Sequence, residues 1–443
     1  MLIKIFLSSL FILFSMIGCN GALKPSSKTK VIKKEVVEDL VKLPQNSFAY
    51  LQEYNSSKKL ASINNYENDY FRVWIKKDFN ITKEDANWIF NSFTPKNSYG
   101  ENLKKLDKLW FKKLKSNVDF NNLKSLNRYG ITIKHADLRA LPSDKVLFLD
   151  PLKAGEGFPF DYLQNSSVAP NTPLRIFHYS KDKKWIFVKT SFSYGWLKTE
   201  DAVFLPKKYI VKILNAKKVI VFRDHYKIYT KDGDFLFSTE IGKMLPIISN
   251  DDKSYTVLAI TKYKNSKPYY NQVIIPKTVA TDDVLKFNRE NIAMILDQIA
   301  NTKYGWGGSY YDRDCSSSMR DFFAPFGVWL PRNSANQAKI GSLLNTQALS
   351  EKEKLQKIKE VAIPFETLLY RKGHIGLYIG TYDNNVVVFQ NMWGVKTKHK
   401  GKEGRFIVGR GVFTTLEAGK NLKDYDAKLS FLHKLKSINI LTR

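Results

Sequence analysis

Apolar and polar residues change rhythm several times along the chain. An uncharged, mostly apolar run spans residues 5–17 behind a single lysine, Lys4. Residues 20–43 are polar, rich in Lys, Ser and Val-Glu pairs, and without sustained period, which predicts a tether. From 44 to 130 the period is helical. Thr82-Lys83-Glu84-Asp85 has the form of a capping box ahead of Ala86, Trp88, Ile89 and Phe90, and Leu103, Leu106, Leu109, Trp110 and Leu114 repeat at helical spacing. Short β-branched and aromatic runs then take over, at 131–133, 146–149, 174–177, 185–188 and 194–197, punctuated by Pro, Gly, Asn and Asp. Strands that short predict a small barrel over 131–206. A second set, at 210–214, 219–222, 235–237, 255–260 and 272–275, predicts another over 207–280.

The pattern turns mixed from residue 281 onward. Ile292, Ile295, Leu296 and Ile299 share one helical face, and a glycine-rich stretch follows, Tyr304-Gly-Trp-Gly-Gly. Glycines at 305, 307 and 308 let backbone approach a ligand closely. Asp314-Cys315-Ser316 then opens a helix whose stripe is Cys315, Met319, Phe322, Phe323 and Phe326. Ser316 to Ser318 place hydroxyls at its start. Further on, Gly373-His374 begins an alternating strand with 374, 376 and 378 on one face. Asp383-Asn384-Asn385 is a turn, and the returning strand carries Gln390 back toward His374. A charged helix is expected around 351–359.

Cysteine usage gives this pattern a chemistry. The chain has two cysteines, Cys19 and Cys315. The charged start and short apolar middle of residues 1–19 read as an export signal, too short for a membrane span. Gly18-Cys19 resembles a bacterial lipoprotein processing site, with Met16 where Leu is commoner. A lipid on Cys19 leaves Cys315 without a disulfide partner in an oxidising compartment, and an unpaired exported thiol is a candidate nucleophile. Its place at a helix N-terminus predicts a lowered thiol pKa. A helical Cys followed by a sheet His and a third polar group is the papain-like order, in which imidazole takes the thiol proton and the third group holds the ring.

Charge changes the picture less. With 71 Lys+Arg against 42 Asp+Glu the formal net charge is +29, but the lysines are spread throughout the chain. That fits attraction to anionic envelope surfaces; the export signal and the lack of a single basic stripe exclude a nucleic-acid reading. His135, His178 and His225 lie in the barrel regions at no metal-ligand spacing, so no metal or cofactor is expected.

The motifs Tyr304-Gly-Trp-Gly-Gly, Asp314-Cys315-Ser316, Leu330-Pro-Arg-Asn-Ser and Gly373-His374 together resemble the NlpC-type papain-like peptidases of bacterial cell walls. The run 160–166, with Pro173-Leu174, residues 178–182, Trp185 and Tyr194-Gly-Trp196, resembles the SH3-type domain found beside such enzymes. The whole is similar to the subgroup with an N-terminal clip and two SH3-type domains. The implied fold class is α+β and multidomain: signal 1–19, tether 20–43, helical clip 44–130, barrels 131–206 and 207–280, and a papain-like domain 281–443.

The resemblance implies a cysteine endopeptidase cutting the γ-D-glutamyl to diaminopimelate bond of peptidoglycan stem peptides. It makes Cys315 the nucleophile, His374 the base and Gln390 the third group. Tyr304 falls on the oxyanion or substrate side, and Trp306, Asp314, Ser316, Asn333 and Ser334 around the pocket for the free amino end of L-Ala-γ-D-Glu. Asn333 stands where relatives have Asp, and Gln390 where the third residue is often His. The expected setting is a monomer, lipid-anchored at Cys19 to the envelope on the periplasmic face of an outer membrane. Two alternatives stay open, a catalytically impaired wall-binding lipoprotein and another thiol reaction on the same fold.

Overall fold

The computed structural model describes residues 35–77, 80–262 and 267–442; the signal segment, Cys19 and most of the tether lie outside them. No helix among the described residues is long and apolar enough to cross a membrane.

The N-terminal segment is helical and wraps the rest. It holds α1 (Asp39–Lys42), α2 (Ile63–Tyr70), α3 (Arg72–Ile75), α4 (Lys83–Ser92) and α5 (Lys108–Val118). The Thr82 capping box forms with Asp85 and starts α4. Helix α5 starts later than the leucine spacing predicts. Asp107 caps it, while Leu103 is left-handed and exposed, so Leu103 and Leu106 belong to the preceding turn. Tyr66, Tyr70, Phe71 and Trp74 pack with Ile131, Ile210, Ile220 and Ile260, joining the clip to both β domains. The end of the expected tether is also ordered. Val37 is buried with Val395 and Leu422, and the Asp39 carboxylate accepts from the N–H and hydroxyl of Thr415. Residues 36–43 therefore belong to the folded body.

The first β domain is a seven-stranded antiparallel sheet made of β1 (Arg128–Thr132), β2 (Ala136–Arg139), β3 (Gln164–Val168), β4 (Pro173–Tyr179), β5 (Trp185–Lys189), β6 (Tyr194–Lys198) and β7 (Ala202–Phe204), in the order β3-β2-β6-β5-β4-β1-β7. The run at 146–149 is not one of its strands. Leu147 and Phe148 are core filler on a loop held by the Asp161 carboxylate and the backbone of Tyr99. His178 is structural here: its ring contacts the carbonyl of Val118 and the hydroxyl of Ser125.

The second β domain begins with a helix where a strand was expected at 210–214. In α6 (Lys207–Asn215) Ile210 and Ile213 are buried while Val211 is exposed, a helical rather than alternating pattern, and Pro206 sits at its N-cap. Its strands are β8 (Lys218–Val221), β9 (Lys227–Tyr229), β10 (Phe235–Ser238), β11 (Met244–Asn250), β12 (Ser254–Lys262), β13 (Pro268–Pro276) and β14 (Ala280–Thr281). They form a five-stranded sheet, β13-β12-β11-β8-β14, and the β10-β9 ribbon.

In the last domain, helices α7 (Arg289–Ile299) and α8 (Cys315–Phe323) pack on a six-stranded antiparallel sheet, with short α9 (Ser334–Gln337), α10 (Glu351–Val361) and α11 (Phe431–Lys434) around it. The strands are β15 (Ser342–Asn345), β16 (Thr367–Arg371), β17 (His374–Tyr382), β18 (Asn385–His399), β19 (Lys402–Thr415) and β20 (Ser437–Ile440), ordered β15-β20-β16-β17-β18-β19. The buried stripes of α7 and α8 meet Ile375, Leu377, Val387 and Phe389 in one core, which seats the first turn of α8 against the start of β17.

Candidate active site

Cys315 is the first residue of α8, and Asp314 is the cap. Its carboxylate accepts from the Ser317 N–H at 2.8 Å and the Ser317 hydroxyl accepts from the Asp314 N–H at 2.9 Å, a closed capping box. Arg332, from the Leu330-Pro-Arg-Asn-Ser motif, grips the same carboxylate through both terminal nitrogens, at 2.8 and 3.1 Å. It also donates to the Ser316 hydroxyl at 3.0 Å and, across the domain boundary, to the Ser166 hydroxyl at 2.8 Å. Gln337 ties the Ser316 and Pro331 carbonyls together. The thiol is thus fixed by a cap, a buried ion pair and a neighbouring domain. It is buried, and the Ile375 N–H, one residue past His374, points at its sulfur.

His374 opens β17, and a chain of hydrogen bonds sets its tautomer. The Thr414 hydroxyl donates to the Thr415 carbonyl at 2.8 Å, so it accepts from the Gln390 side-chain NH₂ at 2.6 Å. That turns the Gln390 carbonyl oxygen toward His374 Nε2 at 2.6 Å, and an acceptor there requires Nε2 to carry the proton. Nδ1 is left with its lone pair free to take a proton. Gly376 lies beside the His374–Gln390 pair, where a Cβ would stand 3.1 Å from the Phe389 carbonyl oxygen and 3.3 Å from the Phe431 ring. The neighbouring Asn391, the other candidate to hold the ring, instead donates to the Arg313 carbonyl and the Ser318 hydroxyl. Thr414 carried no signal in the sequence, since its partner lies 24 residues earlier on the paired strand. Replacing Gln390 by Ala should lower the rate roughly ten- to a hundredfold through loss of one orienting bond. Steady-state kinetics with Gln390→His, expected to be tolerated, as the control would show whether the amide orients the ring.

The glycine-rich loop borders the site and also packs tightly on the first β domain. Gly307 and Gly308 have φ of +60° and +80°, and a Cβ on them would stand 2.4 Å from the Gln164 carbonyl oxygen and 2.3 Å from the Ser167 hydroxyl. These glycines let β3 dock on the loop. Trp306 completes the joint, its indole N–H donating to the Asp161 carbonyl at 3.0 Å and its ring lying edge-on to Phe160.

A cavity of about 430 Å³ opens over the thiol, and the first β domain forms its far wall through Tyr162, Gln164, Asn165 and Tyr194. Tyr304, Trp306, Asp314, Ser316, Asn333 and Ser334 all line it. Asn333 does so while capping α9, its side chain accepting from the Asn336 N–H. A second cavity, of about 280 Å³, adjoins it across Tyr162, Tyr304, Trp306 and Gly373, and is lined by His374 and Gln390. No cluster of three or more His, Cys, Asp or Glu residues able to hold a metal occurs among the described residues.

Three family models match the chain: the NLPC_P60 stabilising domain, N term, over residues 5–122; the SH3 domain of SH3b1 type over 147–198; and the NlpC/P60 family over 301–401, a span that holds Cys315, His374 and Gln390. The last domain belongs to the NlpC/P60 family. Among solved structures, an NlpC/P60 endopeptidase from Photobacterium damselae subsp. piscicida matches with a TM-score of 0.78 at 22% identity, over 90% of this chain and 98% of that one, a likeness of fold. An NlpC/P60 family protein from Bacillus cereus matches at 14% identity, over 71% of this chain and all of that one, with a TM-score of 0.47. No curated protein matches the chain. The family makes the domain a cysteine peptidase of the cell wall, fused to an SH3 domain and a stabilising clip.

The electrostatics of this NlpC/P60 site correct one expectation. The thiol is not lowered by its helix. Burial, and then the Asp314 carboxylate beside it, push it up to about 12, outweighing the favourable N–H groups of Ile375 and Ser316 and the charge of Arg332. Burial, and then the Arg371 guanidinium, push His374 down to about 3. The resting pair is neutral thiol and neutral imidazole. Burial, with Cys315 and Asp314 nearby, also keeps the Tyr304 phenol protonated and therefore a donor.

Proposed function

We propose that this peptidase hydrolyses the γ-D-glutamyl to diaminopimelate bond of short peptidoglycan stem peptides. The observation that carries the reading is the cavity of about 430 Å³ over Cys315, walled on one side by the first β domain, and the reading takes that wall to close the pocket beyond the free amino end of the stem. Cys315 attacks the γ-carbonyl as its proton passes to Nδ1 of His374, so charge separates only along the reaction and is not stored in the resting enzyme. The attack yields a tetrahedral adduct and a protonated ring. His374 gives that proton to the amine as the C–N bond breaks and the adduct collapses to the thioester, and water then releases the acyl group by the reverse path. In this reading the Cys315 N–H, free of an intrahelical partner at the first position of α8, and the Tyr304 hydroxyl receive the oxyanion.

Asp314 cannot act as a free counter-ion for the substrate amine, because Arg332 already neutralises it. The amine is met by the Asp314–Arg332–Ser316 cluster as a polar whole, with Asn333, Ser334 and the Trp306 face. An inactive wall-binding role drew its support from glutamine at 390. Gln390 offers His374 Nε2 an acceptor at 2.6 Å, which supports the active reading instead.

Digestion of L-Ala-γ-D-Glu-diaminopimelate, free and as the same stem on muramic acid, tests the reading by mass spectrometry of the products. Release of L-Ala-D-Glu from the free peptide, at least about tenfold faster than from the glycan-linked stem, is expected. Equal cleavage of both rejects the closed pocket, and cleavage at another bond rejects the assignment.

The proposed setting is the bacterial envelope, with lipid on Cys19 holding the enzyme to the outer membrane on its periplasmic face. The support is the apolar run ending in Gly18-Cys19. The mass of the mature N-terminus should show a lipidated Cys19; an unmodified Cys19 or cleavage elsewhere rejects the anchor.

A further inference from the structure

The second cavity, beside His374, contains two guanidinium groups with no hydrogen bond or ion pair to a described residue. Arg371, at the end of β16, and Arg405, on β19, both line it, with Lys396 between the strands. The Nε of each arginine is buried and has no hydrogen-bond partner, and neither side chain forms an ion pair with a described residue. Buried, unsatisfied donors on a charged group are costly and rare, so their retention calls for a ligand. The site is built to hold them. The Arg405 guanidinium lies against Gly155, where any side chain would collide with it, and Arg371 faces the Phe431 ring. Arg405 acts against the charge of Arg371, both act against that of Lys396, and burial acts against all three. Glu403 and Glu156 act on Arg405 through their charge but form no ion pair with it, and burial outweighs them. Asp426, on the rim, accepts from the Lys428 N–H, Glu156 accepts from the Tyr162 hydroxyl, and Glu403 is exposed.

We propose that Arg371 and Arg405 form a carboxylate-binding subsite for the residue whose amine is released, and that it selects a leaving residue with a carboxylate at the end of its side chain. The placement follows from proton delivery. The departing amine must lie beside His374 to receive its proton, so the chain continuing from that amine enters the cavity His374 lines. A guanidinium presents a planar fork matched to a carboxylate, and two of them can hold two carboxylates, or one through both oxygens. Diaminopimelate carries a side-chain carboxylate that lysine lacks; both carry the α-carboxyl group, which is free at the end of a tripeptide. The proposal rests on the stem-peptide reading given above and narrows it to one class of leaving residue.

Binding and cleavage test the two ideas separately. Full-length protein with Cys315→Ala is titrated calorimetrically with L-Ala-γ-D-Glu-diaminopimelate, with the lysine tripeptide, and with the dipeptide L-Ala-γ-D-Glu. The diaminopimelate peptide should bind at least about tenfold tighter than the lysine peptide, and Arg371→Gln or Arg405→Gln should remove most of that difference while dipeptide affinity holds. Equal affinity for the two tripeptides, or a preference that survives both substitutions, overturns the subsite. Failure of the native enzyme to cut either tripeptide would overturn the γ-D-glutamyl reading instead, and the binding difference would still decide the subsite.

Discussion

Cys315→Ala is expected to lower kcat/KM on the free stem tripeptide by at least about a thousandfold, since removing one member of a catalytic unit removes the unit's effect. Cys315→Ser should do the same, because a serine hydroxyl is a far weaker acid than the thiol and a poorer nucleophile in the same geometry. The fold should survive both changes. The side chain is small, and the cap of α8 belongs to Asp314 and Ser317 rather than to the cysteine.

The state of the thiol gives this expectation a sharper form. With the thiol pushed up to about 12 and His374 down to about 3, the resting pair is uncharged across the whole ordinary pH range. Iodoacetamide should therefore label Cys315 more slowly than a model thiol at pH 7, at a rate climbing about tenfold per pH unit as thiolate appears. Labelling should be followed in protein whose Cys19 has been replaced. For the same reason kcat/KM should show no acid limb near pH 6.5, where an unperturbed imidazole titrates. Fast labelling at neutral pH, together with such a limb, would mean that a thiolate–imidazolium pair exists before substrate arrives.

What the sequence disclosed was what local period controls. The stripe of α8, the face of α7, the Thr82 cap and the β17–β18 hairpin were legible because each is written within a few residues of itself, and the hairpin then brought Gln390 to His374. What it hid depends on partners far along the chain. The glycines at 307 and 308 looked like a ligand loop, and only the presence of Gln164 and Ser167 shows that they also accommodate a neighbouring domain. The apolar runs at 146–149 and 210–214 were read by residue type as strands. One is loop filler bound by Asp161, and the other is a helix set by Pro206 and by which side the β domains occupy. The thiol misled for a related reason. A helix N-terminus is visible in sequence, whereas the burial that outweighs it is not. Arg371 and Arg405 sit on different strands, and neither is singular until the cavity between them is seen.

Arg332→Met should be the most damaging substitution to stability, at about 3–5 kcal/mol, the usual cost of stranding a buried charge by removing its partner. Burial works to raise the Asp314 pKa, but the charge and hydrogen bonds of Arg332 outweigh it and hold the carboxyl below the usual carboxylate range. In the native protein that ion pair contributes stability above the unfolded carboxylate value, and the contribution is lost as pH falls through the lower folded value. Without Arg332, only the hydrogen bonds from Ser316 and Ser317 still oppose burial; the folded value is expected to rise above the unfolded one, and the ionised form is then penalised at every pH above it. The gap between variant and native protein should therefore be widest near pH 7 and narrow toward pH 4. The Ser166 contact to the first β domain goes as well, so part of the loss persists in acid. Urea unfolding at the two pH values measures both parts. Adding Asp314→Asn to Arg332→Met should recover some of the neutral-pH loss, since it removes the stranded charge while keeping an acceptor for the Ser317 N–H. A variant within about 1 kcal/mol of the native protein at pH 7, no more than an exposed pair is worth, or a penalty that grows in acid, would show that the Asp314–Arg332 pair does not hold the start of α8.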